Sequence, residues 1–262
     1  SFNLYYRKVN AVEGNNLKEL LKKLVETPGV SGAEKDIREL IKKELEPYVD
    51  EITVDIFGNV IGCKKARSKG ALKVLLTAHI DEPGMVVQHI EKNGIIRFEK
   101  IAALDDRILL FQRVNIHTKN GTVIGVIGVL PEDLKEEKEK AIKHEKMFID
   151  VGAASDKEVE NMGISVGDRI TFRRPLEELN TETLITAKAF DNRVGCFALI
   201  EMARKLTDER LDNITLYIAG TVQEEIGGRG SQMVASTVKP NVAIAVDTWG
   251  ASPSEKARIK TG

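Results

Sequence analysis

The chain has 262 residues, 42% of them hydrophobic, with 39 basic and 40 acidic side chains that leave a net charge of -1. That apolar supply suffices for a globular core, and the balanced charge gives no field that would favour nucleic acid or an anionic membrane surface as a partner. No apolar run approaches the ~20 residues that cross a bilayer, and Cys63 and Cys196 are the only cysteines, so a cytoplasmic location is expected.

In chain order, "NLKELLKKLVETPGVSG" places Leu17, Leu20, Leu21 and Leu24 at helical spacing and closes on Pro28 and Gly29. "AEKDIRELIKKELEPYVD" repeats the pattern, and "EITVDIFGNVIGCKK" alternates as two strands about a Gly58-Asn59 turn. The near-continuous apolar run at 72–78 suits a strand covered on both faces and ends at His79 and Asp81. From 87 to 183 the texture changes to short alternating runs such as "GIIRFEKI", "RVNIHTKNGTVIGVIGVL" and "VGDRITF", interrupted by a charge-dense stretch at 131–146 expected to be a solvated loop or short helix. After 184 an α/β texture returns: a helix entered through Asp191 and Asn192, then strands ending at Glu224-Glu225 and at Asp247. The expected architecture is α/β, a mixed and largely parallel sheet flanked by helices, formed by residues 1–86 and 184–262, with an inserted β-barrel-like domain at 87–183.

Ligands of open α/β sheets bind outside the carboxyl ends of the strands, which is where His79, Asp81, Glu224, Glu225 and Asp247 all fall. One imidazole with several carboxylates and no thiolate cluster suits a hard or borderline divalent ion, and only a carboxylate can bridge two of them. Asp191, at a helix start, is placed for that bridge. If the Glu224-Glu225 segment is extended, the two side chains point to opposite sides, so Glu225 can ligate while Glu224 faces a substrate.

"AHIDEPG", "FDNRVG", "VQEEIGGRG" and "AVDT", in this order, resemble the metal-site signature of the TET-type dinuclear-metal aminopeptidases, some of which carry an endoglucanase label; "TPGVSGAEKDIRELI" and "DIFGNVI" resemble that family's opening segments. The resemblance runs from about Leu17 to the end of the chain. It implies two divalent metal ions, Zn or Co, with His79 and Asp247 on one, Glu225 on the other and Asp191 bridging. It further implies Glu224 as general base, Asp81 as the carboxylate orienting His79, and peptides as substrates. The β-rich insert resembles the family's oligomerisation domain, implying a homo-oligomer, a tetrahedral dodecamer. Asn192 stands where the family more usually has a second aspartate, which puts the local hydrogen bonding in question. The family also takes a fifth ligand from a histidine near its C-terminus, whereas the four histidines here all precede residue 150. The chain is therefore expected to be a piece of a longer enzyme, with a non-catalytic assembly subunit as the alternative.

Other candidates carry less. "ALDDRI" at 103–108 mimics the bridging motif but precedes no helix, "HEKMF" at 144–148 lacks the second histidine of a zinc helix and is expected at the surface, and His89 and His117 are expected to be structural. Cys196 has no base nearby and reads as core. Carbohydrate hydrolysis would need aromatic platforms beside a carboxylate pair, and Trp249 is the only tryptophan.

Overall fold

The computed structural model describes residues 11–136, 141–180 and 184–249. Two helices open it, α1 (Ala11–Glu26) and α2 (Lys35–Leu45), the second burying Ile37, Ile41 and Leu45 along one face. Strands β1 (Glu51–Val54), β2 (Val60–Lys64) and β3 (Leu72–His79) follow. The chain then runs through β4 (Gly84–Ile90), β5 (Ile96–Ile101), β6 (Arg113–Thr118), β7 (Gly121–Val129), a short helix α3 (Pro131–Glu136), β8 (Met147–Asp150), α4 (Asp156–Asn161) and β9 (Arg169–Phe172). A two-stranded ribbon, β10 (Glu177–Glu178) with β11 (Ile185–Thr186), leads to α5 (Phe190–Lys205), β12 (Ile214–Thr221), α6 (Arg229–Val238) and β13 (Val242–Ala245).

The sheet has the order β1-β2-β12-β3-β13. The β12–β3 and β3–β13 pairs are parallel, and β1–β2 and β2–β12 antiparallel. The sheet is thus mixed, with the parallel pairings confined to the half that carries the acidic strand ends. Its apolar side chains divide by period two between the faces. Val60, Leu76, Ala78 and Ile218 pack with α2 and α5, while Ile61, Leu75 and Ala219 pack with Val234 and Val238 of α6. Burial on both faces is why β3 and β12 are apolar almost throughout.

Strands β4-β5-β8-β7-β6-β9 close into a barrel with a core of its own, including Met85, Ile96, Phe98, Ile116, Ile127, Ile149 and Ile170. The charge-dense stretch departs from expectation: besides α3 it forms a 3₁₀ turn, His144–Lys146, that buries His144 and feeds β8. His144 Nε2 lies 2.8 Å from Glu99 Oε1 and Nδ1 lies 3.5 Å from Asp106, so the "HEKMF" histidine is a buried, paired group and not a surface one. Residues 137–140 of that stretch lie outside the described residues.

Candidate metal centre and its support

β3 ends at His79, whose ring is buried while the side chains of Asp191, Glu224 and Asp247 around its Nε2 stay roughly half exposed. His79 Nε2 faces Asp191 Oδ1 at 3.0 Å, Asp247 Oδ1 at 3.7 Å and Glu224 Oε2 at 3.9 Å. Ligand atoms of His79, Asp191 and Glu225 lie within 4.8 Å of one another, the one such group of three among the described residues. Four separate elements therefore deliver five side chains to the carboxyl end of the sheet. The donors, one imidazole among carboxylates, fit a divalent cation chemically as well as spatially. Asp106 of the mimic motif sits instead in the barrel, paired with Lys100 at 2.7 Å.

Crowded acids act on the imidazole and on one another. Burial alone would lower the His79 pKa, but the hydrogen bond and charge of Asp81, the Glu224 charge and the Asp191 hydrogen bond outweigh it and raise the pKa to about 9. Burial, with the charges of Asp191, Asp81 and Glu224, pushes Glu225 up to about 7 against the pull of His79. Cys196 is a core thiol raised to about 12 by burial, its Sγ 3.1 Å from the His79 carbonyl.

Asp81 meets the ring with its backbone as well as its side chain. The nearest Asp81 atom to His79 Nδ1 is the backbone carbonyl, at 3.2 Å, with Oδ1 at 3.5 Å. The fully buried carboxylate accepts from Ser31 Oγ at 2.6 Å and from the amides of Glu224 and Glu225 at 2.9 and 3.1 Å. Burial would raise its pKa, but the hydrogen bonds with His79, Ser31 and the Glu224 amide, with the His79 charge, hold it below the usual value. The glutamate pair is not extended: Gly227 and Gly228 both donate to the Glu224 carbonyl, turning the chain at Glu225. A tight turn, rather than strand alternation, separates the two side chains.

Several supporting residues carry no sequence signal of their own. Asn59 is fully buried, accepting from Val222 N at 2.9 Å and donating to Gly230 O at 3.2 Å, so the "DIFGN" loop ties together the two ends of the acidic loop. A Cβ on Gly230 would run into Asn59 Oδ1 and the Val222 carbonyl, which explains the glycine. At the Asp191 side, Lys188 Nζ binds both Glu82 oxygens at 2.7 and 2.8 Å, and the fully buried Arg193 lies 3.5 Å from Glu82 while donating to the Leu24 and Thr27 carbonyls. Regular helix begins only after Asn192, whose side chain donates to Val246 O at 2.8 Å and accepts from Gly195 N at 3.1 Å. An amide, unlike an ionised carboxylate, can do both.

A mixed sheet flanked by helices, a closed barrel within its sequence, and imidazole and acidic groups gathered at its carboxyl edge define an α/β protein with a candidate divalent-metal site. A family model described as M42 glutamyl aminopeptidase matches residues 58–261, and the chain belongs to that family. It is 38% identical over 247 residues to a lysyl aminopeptidase of Pyrococcus furiosus, covering 92% of this chain and 69% of the relative. Among solved structures, an aminopeptidase from the archaeon Desulfurococcus kamchatkensis superposes with a TM-score of 0.85 at 39% identity, covering 92% of this chain and 65% of that one. Pyrococcus horikoshii TET1 peptidase, which can assemble into a tetrahedron or a large octahedral shell, gives a TM-score of 0.79 at 34% identity over 90% of this chain and 70% of that one. The chain thus spans about two thirds of the length of these relatives, 65% to 70%. No helix among the described residues is long and apolar enough to cross a membrane.

Proposed function

We propose that this chain supplies the catalytic groups of a metal-dependent aminopeptidase that removes residues from the N-termini of peptides. The observation that carries the reading is His79 Nε2 facing Asp191, Asp247 and Glu224 within 3.9 Å, with Glu225 beside them. His79, Asp191, Glu225 and Asp247 would hold two divalent ions, Zn or Co. Bound there, the ions supply Lewis acidity, making water acidic and a peptide carbonyl electrophilic. Glu224, half exposed and 3.9 Å from His79 Nε2, takes a proton on its carboxylate from the attacking water and returns it to the leaving amine nitrogen. Asp81 keeps His79 and both glutamates in place throughout. The assembled protein is a homo-oligomer on the tetrahedral dodecamer plan and works in the cytoplasm; outward apolar groups on the barrel wall, Phe111, Ile124 and Val126, are consistent with self-association.

The test is hydrolysis of aminoacyl-anilides with added Zn²⁺ or Co²⁺. The expected result is chelator-sensitive release that Glu224→Gln lowers by about 10² or more while metal content is unchanged. Full activity in that variant would remove Glu224 from its role. Tight metal binding and assembly without any turnover would favour the alternative, a non-catalytic assembly subunit.

A further inference from the structure

Glu34 occupies the N-cap position of α2, yet its side chain makes no cap hydrogen bond there. Ser, Thr, Asp and Asn cap helices well and Glu does not, so α2 forgoes a local contact that a shorter side chain would supply. The carboxylate is instead turned inward and buried, where Oε1 accepts from Gly32 N at 2.7 Å and from Gln223 N at 3.2 Å, 189 residues along the chain. Gln223 in turn has a left-handed backbone, φ 56°, which a residue bearing a Cβ adopts only when its surroundings impose it. Two locally unfavourable choices thus meet in one hydrogen bond. Beside it, Asp81 takes the next two amides, Glu224 and Glu225. Three consecutive backbone N–H groups are therefore held by two buried carboxylates, and the second and third of those residues are the glutamates of the site.

We propose that Glu34 is a positioning residue for the Glu224-Glu225 pair, setting through the Gln223 amide the turn from which both side chains reach the site. The inference rests on the peptidase reading for its catalytic consequence, but the geometric part stands on the loop alone. Glu34→Gln keeps an acceptor oxygen at the same reach; Glu34→Ala removes it. Amide hydrogen exchange of the full chain reads the loop directly. In Glu34→Ala, exchange at 223–225 should quicken by about tenfold or more while the barrel amides are unchanged, and Glu34→Gln should stay near the parent. Turnover per metal-loaded molecule should fall by up to about 10²-fold in Glu34→Ala with little change in KM, and recover in Glu34→Gln. Unchanged exchange in Glu34→Ala, or a Gln variant as impaired as the Ala one, would overturn the proposal. Should Glu34→Ala fail to fold, Glu34→Asp, one methylene short of spanning to Gln223, carries the same comparison. A parent protein without turnover would defeat the peptidase reading alone, since the exchange experiment still decides whether Glu34 sets the loop.

Discussion

Asn192 shows how one buried amide can align two candidate ligands, Asp191 and Asp247. Its Nδ2 reaches Val246 O, the residue before Asp247, while its backbone follows Asp191, so the helix start and the end of β13 are fixed to each other by a single side chain. Asn192→Ala leaves the Val246 carbonyl and the Gly195 amide without this partner. Metal affinity, followed by titration, should fall by about tenfold, with unfolding stability lower by about 1–3 kcal/mol. The metal-free site also has a proton inventory. A raised His79 pKa means that the charged ring's stabilisation is complete below the unfolded value of 6.5 and is lost as pH rises through about 9. Glu225 holds its proton up to about 7. Ligation needs the neutral ring and the ionised carboxylate, so binding displaces two protons below pH 7 and one between 7 and 9. Taken over the pair of ions, apparent metal affinity should therefore climb about 100-fold per pH unit below 7 and about tenfold per unit from 7 to 9. Calorimetry in buffers of different ionisation heat counts the released protons, and a pH-independent affinity would contradict this.

At the scale of elements, the site depends on a buried charge cluster joining three segments. Glu82 follows β3, Lys188 and Arg193 flank the start of α5, and the carbonyls of Leu24 and Thr27 come from the end of α1. Two cations share one carboxylate, which makes the two removals unequal. Lys188→Met leaves Glu82 with Arg193 and the Gly29 amide, whereas Glu82→Gln leaves two buried cations beside each other without the carboxylate that bridges them, with only the more distant charges of Glu26 and Asp81 to offset them. Denaturant unfolding should show a loss of about 3 kcal/mol for Lys188→Met and a larger one, about 5 kcal/mol, for Glu82→Gln. Little of this cluster was legible beforehand. Strand ends and the helix start follow from local periodicity, and so the sequence placed His79, Asp191, Glu224 and Asp247 near one sheet edge. Asn59 and Glu34 accept from backbone amides far away in the chain, and Ser31 donates to the carboxylate of Asp81, 50 residues on; no local pattern marks a residue whose partner lies in another segment. His144 misleads for the opposite reason: a run of Lys and Glu reads as solvated, although its last turn enters the barrel and buries the ring against Glu99 and Asp106.

On the scale of the whole molecule, the described chain holds separate apolar cores, one closed inside the barrel and others on the two faces of the sheet. His79 ends a strand on the N-terminal side of the barrel's sequence, while Asp191, Glu225 and Asp247 come after it. Ions held by these four would cross-link the two sequence stretches that build the sheet and leave the barrel's own hydrogen bonds untouched. Such binding stabilises only the state in which the ligands are gathered, by about 2.7 kcal/mol at a metal concentration 100 times Kd. For a chain of this size each kcal/mol moves the midpoint by about 2–4 °C, so saturating Zn²⁺ or Co²⁺ should raise Tm by about 5–10 °C and a chelator should reverse it. The gain should be uneven: amide exchange ought to slow in β3, β12 and the first turns of α5 while β6 and β7, paired only within the barrel, keep their metal-free rates. Equal protection in barrel and sheet would mean that the two unfold as one cooperative unit, and no change in either would remove the metal from this site.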